Sequence, residues 1–259
     1  MAKIDIDIKE LHNMKKYPKE LSYKGNLELL KRPKVSIVGS RRPISYTKQY
    51  TTQIVKALIN RGVVIVSGGA MGVDAIAHQS ATPKNSISVY ATGIDIKYPS
   101  VNRNLLQSIE EEGGLVISQF KDNFKATSWS FVLRNELVVA LGDILIVSEA
   151  DINSGSLKSV EYAIEMGKKI FVLPHRIGES LGTNELLAKG LAKPIYDIEE
   201  FASRYGVSVN SDIVKDDFFY FCQTFPTYDE VLEKFGDRVY EAEFDEVIYI
   251  ENGIVYLNG

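Results

Sequence analysis

Residues 34–42 read KVSIVGSRR and residues 63–74 read VVIVSGGAMGVD, so one pattern occurs twice in a short part of the chain. Each stretch is an almost wholly apolar run that ends in glycine and small polar residues. A strand covered by helices on both faces of its sheet is apolar throughout, and in such folds a loop of small residues joins the strand to its helix. The two stretches therefore predict two β-loop-α units of a parallel sheet.

The same alternation continues along the chain. Strands are predicted at residues 35–38, 63–67, 87–90, 115–118, 144–147 and 170–173. Helices are predicted between them at residues 46–60, 73–80, 103–112, 131–141 and 156–166. Alternating strands and helices are typical of an α/β protein, and we predict a Rossmann-like, doubly wound and mostly parallel sheet.

The two ends of the chain depart from this pattern. Ile4, Ile6 and Ile8 alternate as in a strand, and residues 11–17 have room for a short helix. We therefore predict that residues 1–30 form an irregular lead-in packed on the core. Residues 31–206 are predicted to be the Rossmann-like domain, and residues 207–212 a linker.

A small second domain is predicted over residues 213–259. Helical spacing occurs at residues 218–222 and 228–235, and apolar runs at 247–250 and 254–257 flank an Asn-Gly pair that is typical of a hairpin turn. Helices followed by a hairpin indicate a winged-helix-like module. Residues 211–259 hold twelve acidic and three basic side chains, a net charge of −9, whereas residues 1–210 carry +5. This charge disfavours DNA contact by the module.

The composition is ordinary for a globular protein, with 45% hydrophobic and 25% charged residues. Apolar runs of about 18 residues are absent, and the first residues do not resemble an export signal, so we expect a cytoplasmic protein without a membrane segment. Cys222 is the single cysteine, and with three histidines it makes no recognisable metal set. No metal and no cofactor are expected.

The loops after the first two strands are candidate phosphate sites. The first contains Gly39, Ser40, Arg41 and Arg42, and the second contains Gly68, Gly69, Ala70, Gly72 and Asp74. Small residues let backbone N–H groups face an anion at a helix N-terminus, and arginines add charged donors. Neither loop has the spacing of a dinucleotide or Walker A motif. The alternative is that the arginines lie in water beside tight turns, and that Asp74 and His78 are satisfied structural groups.

Similar residues follow the later predicted strands. They are Phe131, Arg134 and Asn135 on one helix, Ser154, Gly155 and Ser156 at the start of another, and Thr183 and Asn184 near a further helix start. Tyr98 and Pro99 belong to the same candidate crevice. Ligands of open α/β sheets bind at such strand ends, so these residues predict one site.

The ordered series of these motifs, with Tyr46 and Ala77-His78, resembles the DNA-processing protein A (DprA/Smf) family over residues 15–197. The short form with an acidic tail is similar to those of epsilon-class proteobacteria. The resemblance implies a sequence-independent single-stranded DNA-binding protein that is not an enzyme. It implies protection of incoming DNA in natural transformation, a homodimer formed by the Rossmann-like domain, and help in loading the recombinase RecA. In this interpretation Arg41, Arg42, Lys48 and Lys125 supply charge, and aromatic residues take unstacked bases.

Two positions depart from the family pattern. Glu136 stands where the family usually has a basic residue, and residues 127–130 read TSWS where a basic residue often occurs. Lys125 is near enough to replace the second, and Trp129 either stacks on a base or lies in the core.

Two other functions fit parts of the sequence. The layout is similar to nucleoside-monophosphate phosphoribohydrolases of the lysine-decarboxylase-like family, although the glycine-rich loop has Val73 at the threonine position and no glutamate at the helix start. The acidic tail is also compatible with a scaffold that bridges RecA or other competence proteins.

Overall fold

The computed structural model describes residues 3–5, 7–15, 17–207, 216–244 and 247–257. The chain divides into two compact units, Met1–Ser208 and Val209–Gly259. Apart from Val207, the predicted linker lies outside the described residues.

Within the described part of the first unit, eight strands form one sheet. They are β1 (Ser22–Gly25), β2 (Lys34–Val38), β3 (Val64–Ser67), β4 (Ser86–Tyr90), β5 (Leu115–Ser118), β6 (Ile144–Val147), β7 (Ile170–Val172) and β8 (Lys193–Pro194). Their order is β1-β5-β4-β3-β2-β6-β7-β8, and every pair is parallel except β1 with β5.

The helices of this unit are α1 (Ser45–Ile59), α2 (Val73–Ala81), α3 (Arg103–Glu111), α4 (Ser128–Leu141), α5 (Gly155–Glu165), α6 (Leu181–Ala188) and α7 (Ile198–Ser203). From β2 the chain builds the sheet outward to β5, then returns beside β2 as β6 and continues in the opposite direction. The carboxyl ends of β2 and β6 are therefore the switch point of a doubly wound sheet. The predicted fold class is confirmed.

The sheet separates two hydrophobic clusters. Val64 and Val66 of β3 belong to one cluster, whereas Ile65 belongs to the other. Helix α4 covers the first face with residues 137–141, and α1 covers the second with Ile54 and Leu58. Because both faces are covered, the strand residues are apolar on both sides, which explains the continuous runs in the sequence.

The first 30 residues are more regular than predicted. Ser22–Gly25 forms β1, an antiparallel edge strand in register from Ser22 opposite Ser118 to Gly25 opposite Leu115. An edge strand pairs with one neighbour only, and it needs apolar residues only on the face that is covered. The sequence SYKG therefore has no apolar run. The short helix expected near residue 11 is a 3-10 helix at Lys9–Asn13, and Leu11 is fully buried. Ile6 lies outside the described residues.

The second unit contains the helices α8 (Asp217–Cys222), α9 (Tyr228–Phe235) and α10 (Arg238–Phe244) and the strands β9 (Ile248–Glu251) and β10 (Ile254–Leu257). The strands form an antiparallel hairpin whose turn residues Asn252 and Gly253 have φ values of 52° and 76°. Positive φ at both positions is what an Asn-Gly turn provides. The hydrophobic core of the second unit includes Phe218, Val231 and Val255. The small domain predicted here, helices followed by a hairpin, is confirmed.

Candidate nucleic-acid interface

A cleft of about 610 Å³ opens at the switch point of the sheet. The loops after β2, β3 and β6 and the first turn of α5 form its floor and one wall, and α4 forms the other wall. This volume lies within the range of about 300 to 1,000 Å³ that is usual for small-molecule sites. The cleft therefore has room for about one nucleotide of a longer chain.

Twelve of the twenty residues predicted for the site line this cleft. They are Gly39, Ser40, Arg41, Gly68, Ala70, Asp74, Phe131, Arg134, Asn135, Ser154, Gly155 and Ser156. Outside its lining lie Arg42, Tyr46, Lys48, Gly69, Gly72, Lys125, Thr183 and Asn184. The sequence thus identified the loops that converge, but not every side chain that faces the cleft.

The glycines of the second loop make room for the protein itself. A Cβ on Gly68 would collide with the guanidinium of Arg134, and a Cβ on Gly72, whose φ is +77°, would collide with the backbone of Ser40 and Arg41. The N–H of Val73 donates to the carbonyl oxygen of Ser40 at 3.0 Å. The loops after β2 and β3 are therefore held together by these close contacts, whereas the sequence analysis assigned the small residues to anion binding.

Arg134 is a buried wall of the cleft, with 5% of its surface exposed. Its Nη1 donates to the carbonyl oxygens of Gly68 and, at 3.0 Å, of Val89, and its Nε donates to Asn135 Oδ1 at 3.1 Å. Burial lowers the pKa of this guanidinium, against the raising effect of the Asp74 charge. Arg134 therefore positions the glycine-rich loop, and little of it is available to a ligand.

Asp74 occupies part of the expected phosphate cradle. Its Oδ2 accepts a hydrogen bond from the N–H of Ala70 at 3.2 Å. Burial raises the pKa of this carboxyl, and the Arg134 charge opposes that rise. A carboxylate on the loop amide competes with a phosphate for the same donor, so the geometry fits the structural interpretation of Asp74.

His78 lies fully buried one helical turn after Asp74. Burial lowers the pKa of its imidazole from 6.5 to about 4, so the folded protein disfavours the charged ring. Stability from this group is complete above pH 6.5 and is lost as the pH falls towards 4, by roughly 3 kcal/mol. We expect His78→Gln to unfold in urea with a weaker dependence on pH between 7 and 4.5 than the wild type. Parallel pH profiles for the two proteins would contradict this.

The start of α5 lines the same cleft as the loop that carries Arg41, and it is called the α5 rim. The side-chain oxygens of Ser154 and Ser159 are buried, and within the described residues they have no hydrogen-bond partner. Lys158 lies on the same rim, with its Nζ 2.9 Å from Glu161 Oε2. The sequence analysis missed Lys158 and Ser159, although both follow Ser154-Gly155-Ser156 by about one turn and so share its helix end.

Phe131 connects the cleft to a smaller cavity of about 40 Å³ lined in part by Met71, Tyr98 and Pro99. The Arg41 guanidinium lies 5.4 Å from the centre of the Phe131 ring, and the Tyr98 ring lies 5.9 Å away. Trp129 is 53% exposed and makes edge contacts with Phe120 and Phe124, so it is a surface aromatic residue. Arginine beside a partly exposed aromatic ring, as Arg41 is beside Phe131, is an arrangement suited to phosphate and base.

The remaining predicted residues act elsewhere in the fold. Tyr46 donates from its hydroxyl to the Pro174 carbonyl oxygen at 2.9 Å, and Thr183 donates from its N–H to the Ala150 carbonyl oxygen at 3.2 Å. Asn184 donates to the carbonyl oxygens of Glu179 and Arg176 at 2.9 and 3.1 Å. These bonds hold the loops after β6 and β7 in place. Lys48 and Lys125 are exposed.

Glu136, the departure from the family pattern, faces away from the cleft. Its Oε1 accepts a hydrogen bond from the N–H of Lys15 at 3.1 Å, and the side chain is buried. An acidic residue here binds the amino-terminal segment to α4. It therefore adds no repulsion inside the cleft lining.

Among the described residues, no helix is both long and apolar enough to cross a membrane. The same residues contain no group of three or more histidine, cysteine, aspartate or glutamate side chains placed to hold a metal ion.

Fold and cleft together define a doubly wound α/β protein with an open cleft at its switch point. Residues 8–206 match the family model of the DNA recombination-mediator protein A. The chain belongs to this family.

Relatives of known name and structure resemble the same region. The DNA processing protein DprA of Streptococcus pneumoniae is 37% identical over 188 residues, which is 71% of this chain and 65% of that protein. Protein Smf of Escherichia coli is 34% identical over 178 residues, which is 67% of this chain and 48% of that protein. The alignments thus span less than two thirds of these relatives.

Two solved structures have the same fold. DNA processing protein A of Helicobacter pylori, solved to describe its single-stranded DNA binding mode, is 41% identical with a TM-score of 0.76. That match covers 78% of this chain and 94% of the other. The DprA structure from S. pneumoniae is 33% identical with a TM-score of 0.71 and covers 79% of this chain and 73% of the other.

Proposed function

We propose that this chain is a non-enzymatic, sequence-independent single-stranded DNA-binding protein whose binding site is the cleft at the switch point. The observation that carries the proposal is the convergence of Arg41, Lys158 and the N-terminus of α5 on one cleft beside Phe131. Two cations and a helix N-terminus attract phosphate, and an aromatic ring beside them suits an unstacked base. The H. pylori relative, whose structure describes a single-stranded DNA binding mode, supports the class of ligand.

The α5 rim is the best candidate for a phosphate contact. Buried hydroxyls without partners are uncommon in folded proteins. Ser154 and Ser159 supply two such hydroxyls beside the first turn of α5, where the helix dipole also favours an anion. By contrast, Asp74 already bonds an amide of the loop after β3. We therefore place the phosphate nearer to α5 than to the glycine-rich loop.

The wider role follows from the family. We propose that the chain protects incoming single strands in natural transformation, helps load RecA, and acts as a homodimer formed by its first unit. The family description as a recombination mediator supports this role. Co-purification of RecA with the wild-type chain on single-stranded DNA, and a dimer mass in solution, would test it.

Single strands are expected to bind more tightly than duplex of the same sequence. A cleft with room for about one nucleotide admits a flexible strand, but a duplex cannot place a base beside Phe131 without unpairing. The logarithm of the affinity should fall linearly with the logarithm of the salt concentration, with a slope near −0.7 for each phosphate neutralised. Fluorescence anisotropy with labelled oligonucleotides measures both. Equal affinity for the two forms at moderate salt would contradict the proposal.

A phosphoribohydrolase would release the free base from a nucleotide, whereas the proposed DNA-binding protein would not. The acidic groups of the cleft lining are Asp74, which bonds its own loop, and the exposed Asp151. We expect no adenine release when the protein is incubated with AMP, as followed by chromatography. Turnover that disappears in an Asp74→Asn variant would favour the hydrolase.

A further inference from the structure

Glu149, two residues after the buried strand β6, links the loop after that strand to the start of α1. It is only 9% exposed. Its Oε2 accepts hydrogen bonds from the N–H of Ile44 at 3.0 Å and from the hydroxyl of Thr47 at 2.6 Å. Ile44 is the N-cap residue of α1 and has no side-chain hydrogen bond with which to cap the helix. A carboxylate from the loop after β6 thus performs the capping that a glutamate at the third helical position usually performs within one helix.

The same network extends to a third strand. Thr47 Oγ1 lies 3.0 Å from His175 Nε2, and His175 Nδ1 lies 2.9 Å from the carbonyl oxygen of Leu173, just after β7. The start of α1 and the ends of β6 and β7 are therefore tied together through two buried side chains, Thr47 and Glu149. The loop that carries Arg41 ends at the start of α1, within this hydrogen-bond network. The α5 rim begins a few residues after Glu149.

We propose that Glu149 is a positioning residue for DNA binding: it holds the Arg41 loop and the α5 rim at the separation that a bound phosphate requires. The inference rests on the proposed function. Without the cap, the Arg41 loop samples other conformations, and the apparent affinity equals the intrinsic affinity multiplied by the fraction of molecules that remain competent.

Electrostatics and positioning predict opposite signs for this residue. Removing a carboxylate near a DNA site raises affinity if only charge matters. If Glu149 positions the cleft, Glu149→Ala should weaken single-stranded DNA binding by about tenfold, because hydrogen bonds to a charged acceptor are among the stronger ones. Asp151→Asn is the control for charge, since Asp151 is an exposed carboxylate two residues from Glu149 and lines the cleft. It should bind at least as tightly as the wild type.

The titration also separates positioning from loss of fold. A fraction that is irreversibly misfolded lowers the number of active sites but leaves the wild-type Kd, whereas a positioning defect raises Kd at full stoichiometry. Glu149→Gln keeps an acceptor oxygen for Ile44 and should recover most of the affinity. If Glu149→Ala fails to fold, Thr47→Val, which removes one hydroxyl, carries the test and should raise Kd several-fold.

A Kd for Glu149→Ala equal to or below that of the wild type would overturn the proposal. Amide hydrogen exchange over residues 40–47 gives a readout that needs no DNA. Exchange should be faster in Glu149→Ala than in the wild type. Unchanged exchange would also overturn the proposal that Glu149 holds the Arg41 loop. If the wild type binds no single-stranded DNA, the proposed function fails, and the exchange experiment still decides whether Glu149 holds the loop.

Discussion

Arg134→Met is expected to lower the free energy of unfolding by about 3 to 5 kcal/mol, the range found when one partner of a buried charged group is removed. The substitution leaves the carbonyl oxygens of Gly68 and Val89 buried without their donor. It also removes the positive charge that opposes the raised pKa of the Asp74 carboxyl. Methionine fills much of the space but donates no hydrogen bond. Urea denaturation followed by circular dichroism measures the loss.

The matched control for this variant is Arg103→Met. Arg103 is exposed at the start of α3, so the same substitution there should change stability by no more than about 0.5 kcal/mol. Adding Asp74→Asn to Arg134→Met should restore part of the loss, because the neutral side chain needs no cation. If Arg134→Met is as stable as the wild type, the guanidinium is not structural, and Arg134 is again a candidate DNA ligand.

The parts of the fold that follow from burial were predictable. A strand covered on both faces has to be apolar throughout, so the central strands end within one or two residues of their predicted ends. The edge strand at Ser22–Gly25 was not predicted, because its pairing with β5 uses backbone groups and its four residues contain no periodic pattern. The hairpin of the second unit was visible because Asn252-Gly253 supplies positive φ.

The site was predictable as a set of loops but not as a set of side chains. Carboxyl ends of parallel strands meet at one edge, which is why the loops after β2, β3 and β6 converge. Sequence cannot show which way a side chain turns: Arg41 lines the cleft, whereas its neighbour Arg42 lies outside the lining. Likewise, the bond from Ala70 to Asp74 depends on how the loop folds back on α2.

Arg41→Ala is expected to weaken single-stranded DNA binding by about 1.5 to 3 kcal/mol, roughly ten- to a hundredfold, with the melting temperature almost unchanged. Arg41 is exposed, lines the cleft and lies over the Phe131 ring, so it can bind a phosphate without supporting the fold. Loss of one phosphate contact should also reduce the steepness of the salt dependence by about 0.7.

Arg42→Ala is the control that distinguishes position from charge. It removes the same charge one residue away, from a side chain that is exposed and lies outside the cleft lining. Long-range attraction alone would lower the affinity of both variants equally, and it would do so less as salt screens the charges. A cleft contact instead predicts a large effect for Arg41→Ala and a small one for Arg42→Ala at every salt concentration. If the two variants bind alike, or if Arg42→Ala is the weaker, the DNA does not follow the cleft at the switch point, and the proposed site is wrong.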